Sequence, residues 1–280
     1  MSLKGKILLI DRLLNDGWFE SKKQAEAWIM ERKVLINNSL AYSGKVLVNP
    51  GDTIRVKDYK KKKYASRGGY KLEGALKVFD IKVEGKVVLD CGASTGGFSD
   101  CLLQNGASRV YAVDVGYGQI AGKISINPHV VNMEKTNLAD ERLQTLDPRP
   151  EIITLDLSYL SLKKAVPICR HILHNDGYIV ALVKPLFEVE SSDIRRSGKI
   201  NDERILKSIL LDLCNYFHQM GFCILGITYS PIRGNDGTLE YFLYLCCSEF
   251  NNEKPYDEDG YQNIIDKVVD YSFSIGLKPD

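Results

Sequence analysis

Three features of the 280-residue sequence predict an α/β chain with a mostly parallel sheet, preceded by a small α+β unit. From Lys86 onward, short apolar runs of β type alternate with stretches of helical periodicity, as parallel strands joined by crossover helices require. A glycine-rich turn, Asp90-Cys-Gly-Ala-Ser-Thr-Gly-Gly-Phe98, stands between the first of those runs and a helical segment. Charge is divided unevenly. Residues 1–66 hold 14 Lys and Arg against 7 Asp and Glu, and the rest hold 23 against 29, although the whole chain nets +1. A small basic end on an acidic body suits either contact with a polyanion or a merely solvated face.

Composition narrows the class. Apolar residues make up 44% and charged residues 26%, ordinary globular usage that excludes a disordered chain. Apolar stretches such as Tyr178–Val183 fall far short of the ~18 residues a membrane span needs. Asp11 and Arg12 interrupt the short run Ile7–Ile10, against a secretory signal. Seven cysteines with no C-x-x-C spacing read as reduced thiols of a cytoplasmic protein.

The elements follow in order. Ile7–Asn15 is a short amphipathic helix ending near Gly17. Ser21 with Gln24 three residues later is a capping box, opening a helix whose apolar face carries Ala25, Trp28 and Ile29. Val34-Leu-Ile reads as a strand before a polar turn, and Val46–Val48 and Thr53–Val56 around Pro50-Gly-Asp read as a hairpin-like end. Asp58–Tyr64, with Lys60–Lys63, lacks apolar periodicity and reads as a linker, either a tether or a phosphate contact. Strands are expected at Val87–Asp90, Val110–Asp114, Ile152–Asp156, Tyr178–Lys184, Phe222–Tyr229 and Leu239–Cys246. Helices are expected at Phe98–Gln104, Leu160–His174, Asn201–Met220 with Asn201 as N-cap, and Gln262–Ser272 after an acidic loop.

The glycine-rich turn carries the strongest chemical signal. Glycines let backbone approach a ligand, and the following helix offers free N–H groups. Asp114, at the tip of the next strand, suits ribose hydroxyls. The turn is not a P-loop, and its spacing departs from G-x-G-x-x-G. An acid ahead of the first glycine suits a ligand with an amine, and S-adenosylmethionine has an amine, a ribose and no phosphate. Lys71, Asp156, Lys184 and Glu240 form a dispersed set near strand ends, readable as a structural ion-pair network or as a catalytic cluster. His171 and His174 have no partner spaced for a metal, and no metal is expected.

These segments, with Ser66-Arg-Gly-Gly-Tyr-Lys-Leu72, Val113-Asp-Val-Gly-Tyr-Gly118, Asp156-Leu-Ser-Tyr159 and Val183-Lys-Pro185, closely resemble the TlyA family over about residues 4–248. That resemblance implies an S4-type RNA-binding domain at 1–60, a basic linker at 61–66 and an FtsJ-like methyltransferase domain with a Rossmann-like sheet at 67–250; residues 251–280, an acidic C-terminal extension with a helix, have no match among its motifs. It implies S-adenosylmethionine-dependent 2′-O-methylation of ribosomal RNA or ribosomal subunits, at cytidine ribose in better-known members. Lys71, Asp156, Lys184 and Glu240 then become the catalytic set, with Lys184 as base. Asp90, Gly92, Ala93, Ser94, Thr95, Gly96, Gly97, Phe98, Asp114 and, by position, Glu134 become the donor site. Arg12, Lys22, Lys23, Lys60, Lys61, Lys62, Lys63 and Arg67 become candidates for RNA contact. Rival expectations are a base-directed RNA methyltransferase, and an RNA-binding or haemolysin-like protein without catalysis.

Overall fold

The computed structural model describes residues 5–19, 21–57, 63–158, 160–189, 191–234, 237–247 and 258–275, the last of these without the side chains of 258 and 259. Contacts divide the chain into two compact units, residues 1–63 and 64–280.

The first unit runs β1 (Ile7–Leu8), α1 (Leu9–Asn15), α2 (Lys22–Met30), β2 (Val34–Ile36), β3 (Ser39–Leu40), β4 (Leu47–Val48) and β5 (Ile54–Val56). Ser21 Oγ accepts from Gln24 N at 3.3 Å, so the capping box starts α2 where its spacing predicts. Leu9, Ile10 and Leu13 of α1 meet Ala25 and Ile29 of α2 and Val34 in a core of their own. Asn37 and Asn38 take left-handed φ angles of 48° and 69° and turn β2 into β3. The expected hairpin between 46–48 and 53–56 does not form: β4 pairs with β1, and β5 pairs with β2. Asp52 explains this, because it accepts from Asn49 N at 2.7 Å and Asn37 Nδ2 at 2.9 Å, folding the Pro50 turn toward β2.

The second unit begins with α3 (Gly68–Val78), followed by β6 (Val87–Cys91), α4 (Gly97–Gln104), β7 (Arg109–Asp114), α5 (Gly122–Ser125), β8 (Val130–Glu134) and β9 (Ile152–Leu155). It continues with α6 (Leu162–Ile172), β10 (Tyr178–Val183), α7 (Pro185–Glu188), α8 (Ser192–Ser197), α9 (Glu203–Gln219), β11 (Phe222–Tyr229), β12 (Tyr241–Cys247) and α10 (Glu258–Ser274). Seven strands form one sheet in the order β11-β12-β10-β9-β6-β7-β8. The five strands β6–β10 are parallel to their β neighbours among themselves, whereas β12 runs antiparallel to β10 and to β11.

Strand alternation divides the interior. Val88, Val110, Ile152 and Val180 pack with Leu72, Ala75, Phe98 and Leu102 of α3 and α4. Leu89, Val113, Ile153 and Ile179 face the other way, onto α6, α9 and α10. The chain leaves β6 toward β7 on one side, and β9 lies on the other, so the strand order reverses beside β6. Ligands of open α/β sheets bind at the carboxyl ends around such a point.

Several boundaries differ from expectation. Asp202, not Asn201, caps α9, its side chain accepting from Arg204 N at 2.9 Å. Tyr64, expected in the linker, is 1% exposed in the core beneath α3, and Ala65 N donates to Asp100 at 2.7 Å. Helix α3 itself has no sequence forecast, since two glycines open it and glycine weakens helices. The closing helix is longer than expected and buries Tyr261, Ile265 and Val269 in the main core.

Candidate active site

Asp90, Asp114, Glu134, Asp156 and Lys184 all stand at or just beyond the carboxyl ends of parallel strands. The glycine-rich turn links β6 to α4 at the point of reversal. Gly92 has φ +84°, and a Cβ there would run into the Asp156 carbonyl oxygen. Gly96 caps α4 with φ +88°. These two positions require glycine, the first to let two strand ends approach and the second for backbone conformation.

Of the expected donor-site residues, the turn exposes Ser94 and Thr95 and half-exposes Gly92, while Ala93 and Gly96 lie beneath. Asp114 Oδ2 accepts from Ser94 N at 2.8 Å and its Oδ1 from Gly116 N at 2.7 Å, which fixes a carboxylate beside the turn. Glu134 is its neighbour in register on β8. Partial burial acts to raise the Glu134 pKa, but hydrogen bonds from Gln119 N and the Asn132 amide outweigh it and hold the carboxyl below its ordinary value.

Three members of the expected set face elsewhere. Asp90 is fully buried and accepts from Ser99 Oγ at 2.6 Å and Thr154 Oγ1 at 3.0 Å, so its carboxylate braces the turn from below and does not reach outward to an amine. Burial pushes its pKa up to about 6 against the pull of those hydroxyls, and the charge of Asp156 adds to the rise. Phe98 is a core residue stacked with Phe242 at 6.2 Å. Gly97 serves packing, since a Cβ there would strike Ser66 Oγ of the segment entering α3.

The dispersed charged set converges into two ion pairs. Lys184 Nζ lies 2.6 Å from Asp156 Oδ1 and 3.3 Å from Ser158 Oγ. Lys71 Nζ, from α3, lies 2.5 Å from Glu240 Oε2 at the start of β12, and both side chains are at most 10% exposed. Burial raises the Glu240 pKa, the charge of Asp156 adds to it, and Lys71 and Lys184 pull it down. Those mutual effects place the pairs within electrostatic reach of each other. Such an array can bind and orient a hydroxyl, and a lysine in it that has first lost its ammonium proton can accept the hydroxyl's.

Arg67, expected to face RNA, is partly buried and donates to the Arg233 carbonyl at 2.9 Å, tying α3 to the turn that delivers Glu240. In the first unit, Arg12 is also internally engaged, donating to Asp16 Oδ2 at 2.6 Å and the Pro50 carbonyl at 3.2 Å. Lys22 pairs with Asp11 at 3.2 Å but stays 65% exposed, and Lys23 and Lys63 are exposed. Lys60, Lys61 and Lys62 lie outside the described residues. Sequence reasoning did not find Ser158, Ser99 or Thr154. The last two alternate or adjoin apolar core positions and carry no motif of their own. Among the described residues no group of His, Cys, Asp and Glu could hold a metal, and no helix is long and apolar enough to cross a membrane.

Residues 64–246 match the FtsJ-like methyltransferase family. The chain is 36% identical over 233 residues to the 16S/23S rRNA (cytidine-2′-O)-methyltransferase TlyA of Mycobacterium tuberculosis, covering 83% of this chain and 87% of that protein. It is 38% identical over 231 residues to Hemolysin A of Brachyspira hyodysenteriae, covering 82% and 95%. The solved structure of a hemolysin-named protein from Streptococcus thermophilus superposes with a TM-score of 0.70 at 31% identity, covering 97% of this chain and 98% of that one. On the family match over residues 64–246 and these identities, the chain belongs to the FtsJ-like methyltransferase family, with relatives named TlyA and Hemolysin A.

Proposed function

We propose that this enzyme transfers a methyl group from S-adenosylmethionine to a ribose 2′-hydroxyl of ribosomal RNA, at cytidine. The observation that carries the reading is the Lys184–Asp156 pair, 2.6 Å apart at the carboxyl ends of adjacent parallel strands and beside the glycine-rich turn. The chemistry of the donor site fits the cofactor. A fixed carboxylate at Asp114, with Glu134 next to it, suits ribose hydroxyls, and Ser94 and Thr95 line the open edge of the turn. When bound, S-adenosylmethionine supplies a methyl group already activated by its sulfonium.

The protein's own residues then have three tasks. Lys184, once its ammonium has given up a proton and in its neutral amine form, takes the proton of the 2′-hydroxyl as the oxygen bonds the methyl carbon, with Asp156 and Ser158 fixing where its nitrogen points. Lys71 and Glu240 form the polar wall that holds the ribose, their charges balanced by each other. The rigid strand ends keep these groups in attack geometry, and positioning of this kind supplies much of an enzyme's acceleration. The basic first unit and Lys60–Lys63 engage RNA phosphates, as their excess of positive charge favours.

The test is incubation of the protein with S-adenosylmethionine and ribosomal RNA or intact subunits, followed by digestion to nucleosides and mass spectrometry. Formation of 2′-O-methylcytidine is the expected result. A base-methylated nucleoside would make the enzyme base-directed, and no methylation of any RNA form would leave it a binding protein.

A further inference from the structure

The two catalytic groups Asp156 and Lys184 sit on separate connections, one leading from β9 into α6 and the other from β10 into α7. Neither residue lies within a strand or helix where the pair meets. Asp156 is anchored from behind, its N–H donating to the Cys91 carbonyl at 3.0 Å. Ahead of it, α6 begins only at Leu162. Lys184 is the N-cap of α7, a single turn in which Phe187 N donates to the Lys184 carbonyl at 2.8 Å.

The last residue of that turn is Glu188. Its Oε2 accepts from Ser161 Oγ at 2.6 Å and its Oε1 from Leu162 N at 2.8 Å. One carboxylate from the Lys184 turn thus takes the hydroxyl of the α6 N-cap and an unsatisfied amide of its first turn. The cross-link joins the far ends of the very segments whose near ends carry Asp156 and Lys184. Glu188 is half-buried, and burial raises its pKa despite both hydrogen bonds and the nearby charge of Lys163.

We propose that Glu188 is a positioning residue for methyl transfer, setting the separation and direction of the Lys184–Asp156 pair by clamping the Lys184 turn to the start of α6. The proposal rests on the reading of that pair as the transfer site. Glu188 touches neither donor nor acceptor. It acts through the backbone of 184–188 on one side and the start of α6 at Ser161 and Leu162 on the other.

The experiment compares the full-length protein with Glu188→Ala and Glu188→Gln. Glu188→Ala is expected to lower kcat by about tenfold to a hundredfold, the scale of a misplacement near 1 Å, while donor affinity by calorimetry stays within twofold. Glu188→Gln keeps an acceptor for Leu162 N and a polar partner for Ser161, and should recover most of the rate. A second readout needs no acceptor. The ammonium nitrogen resonance of Lys184, assigned by its loss in Lys184→Arg, should move in Glu188→Ala toward its position in Asp156→Asn and return in Glu188→Gln. An unmoved resonance, an unchanged kcat, or a Gln variant no better than Ala overturns the proposal. Should Glu188→Ala not fold, Ser161→Ala removes one of the two bonds and must shift rate and resonance in the same direction by a smaller amount. If the wild-type protein methylates no RNA, the functional reading fails, and the resonance still decides whether Glu188 sets the pair.

Discussion

Lys71 and Glu240, 169 residues apart in the chain, share a hydrogen bond of 2.5 Å in the interior of the second unit. Breaking a buried pair by removing one partner strands the other charge, whereas replacing both by apolar groups does not. Lys71→Met or Glu240→Leu alone should therefore cost about 3–5 kcal/mol of stability in urea unfolding. The double variant should recover much of that loss and still transfer no methyl group. A double variant as unstable as either single one would show that the pair is net stabilising.

Lys184→Arg tests the proton acceptor. Guanidinium stays protonated and cannot serve as base, but it keeps the charge that faces Asp156. Single-turnover transfer should vanish with donor and RNA binding intact. Retention of a substantial rate would mean that the hydroxyl proton leaves to water and that Lys184 only orients.

Asp90 gives a pH prediction whose sign is opposite to that of an ordinary surface carboxylate. Its pKa is raised from 3.8 to about 6 in the fold, so between these values the folded state holds a proton that the unfolded chain has released. Stability is lost as pH climbs through that window and is flat above it, a penalty of roughly 3 kcal/mol at 1.36 kcal/mol per unit. Asp90→Asn does not titrate and can still bond Ser99 and Thr154. Relative to the wild type it should gain melting temperature from pH 4 to pH 7. Parallel melting curves across that range would remove the buried-carboxylate account.

Gly97→Ala should loosen α3 from α4, since the new methyl meets Ser66 Oγ. A melting-temperature loss is expected, together with a fall in transfer because Lys71 rides on α3. Ser66→Gly added to it should restore part of both. Gly92→Ala carries a left-handed φ as well as the Asp156 carbonyl clash, and no second-site change of that kind should rescue it.

Converting Lys60–Lys63 to Gln should flatten the salt dependence of RNA binding, by about 0.7–0.9 in log–log slope for each phosphate that is no longer neutralised. An unchanged slope would reduce the segment to a tether.

Much of this site is legible before folding because strand ends announce themselves. Asp114, Asp156 and Lys184 each terminate an apolar run, and a parallel sheet brings run ends together at one edge. What sequence could not supply was direction. Asp90 and Phe98 belong to the glycine-rich motif yet point inward, because strand alternation and the first turn of α4 aim them at the core. Arg12 and Arg67 look like phosphate ligands until neighbouring carbonyls, distant in sequence, are seen to accept from them. The pairing of Lys71 with Glu240 depends on α3, whose opening glycines hide it from propensity.

The closing helix has a practical consequence. The match to the family model ends at residue 246, but Ile265 and Val269, well past it, are fully buried in the main core. Their burial alone is worth roughly 3–6 kcal/mol, a large share of the 5–15 kcal/mol that holds a typical domain together. Asp270 and Asp266 also reach back to Lys207 of α9. The stretch matched by the family model and the unit of cooperative unfolding therefore differ by one helix, and a fragment trimmed to residues 64–246 would present an uncovered apolar face to water.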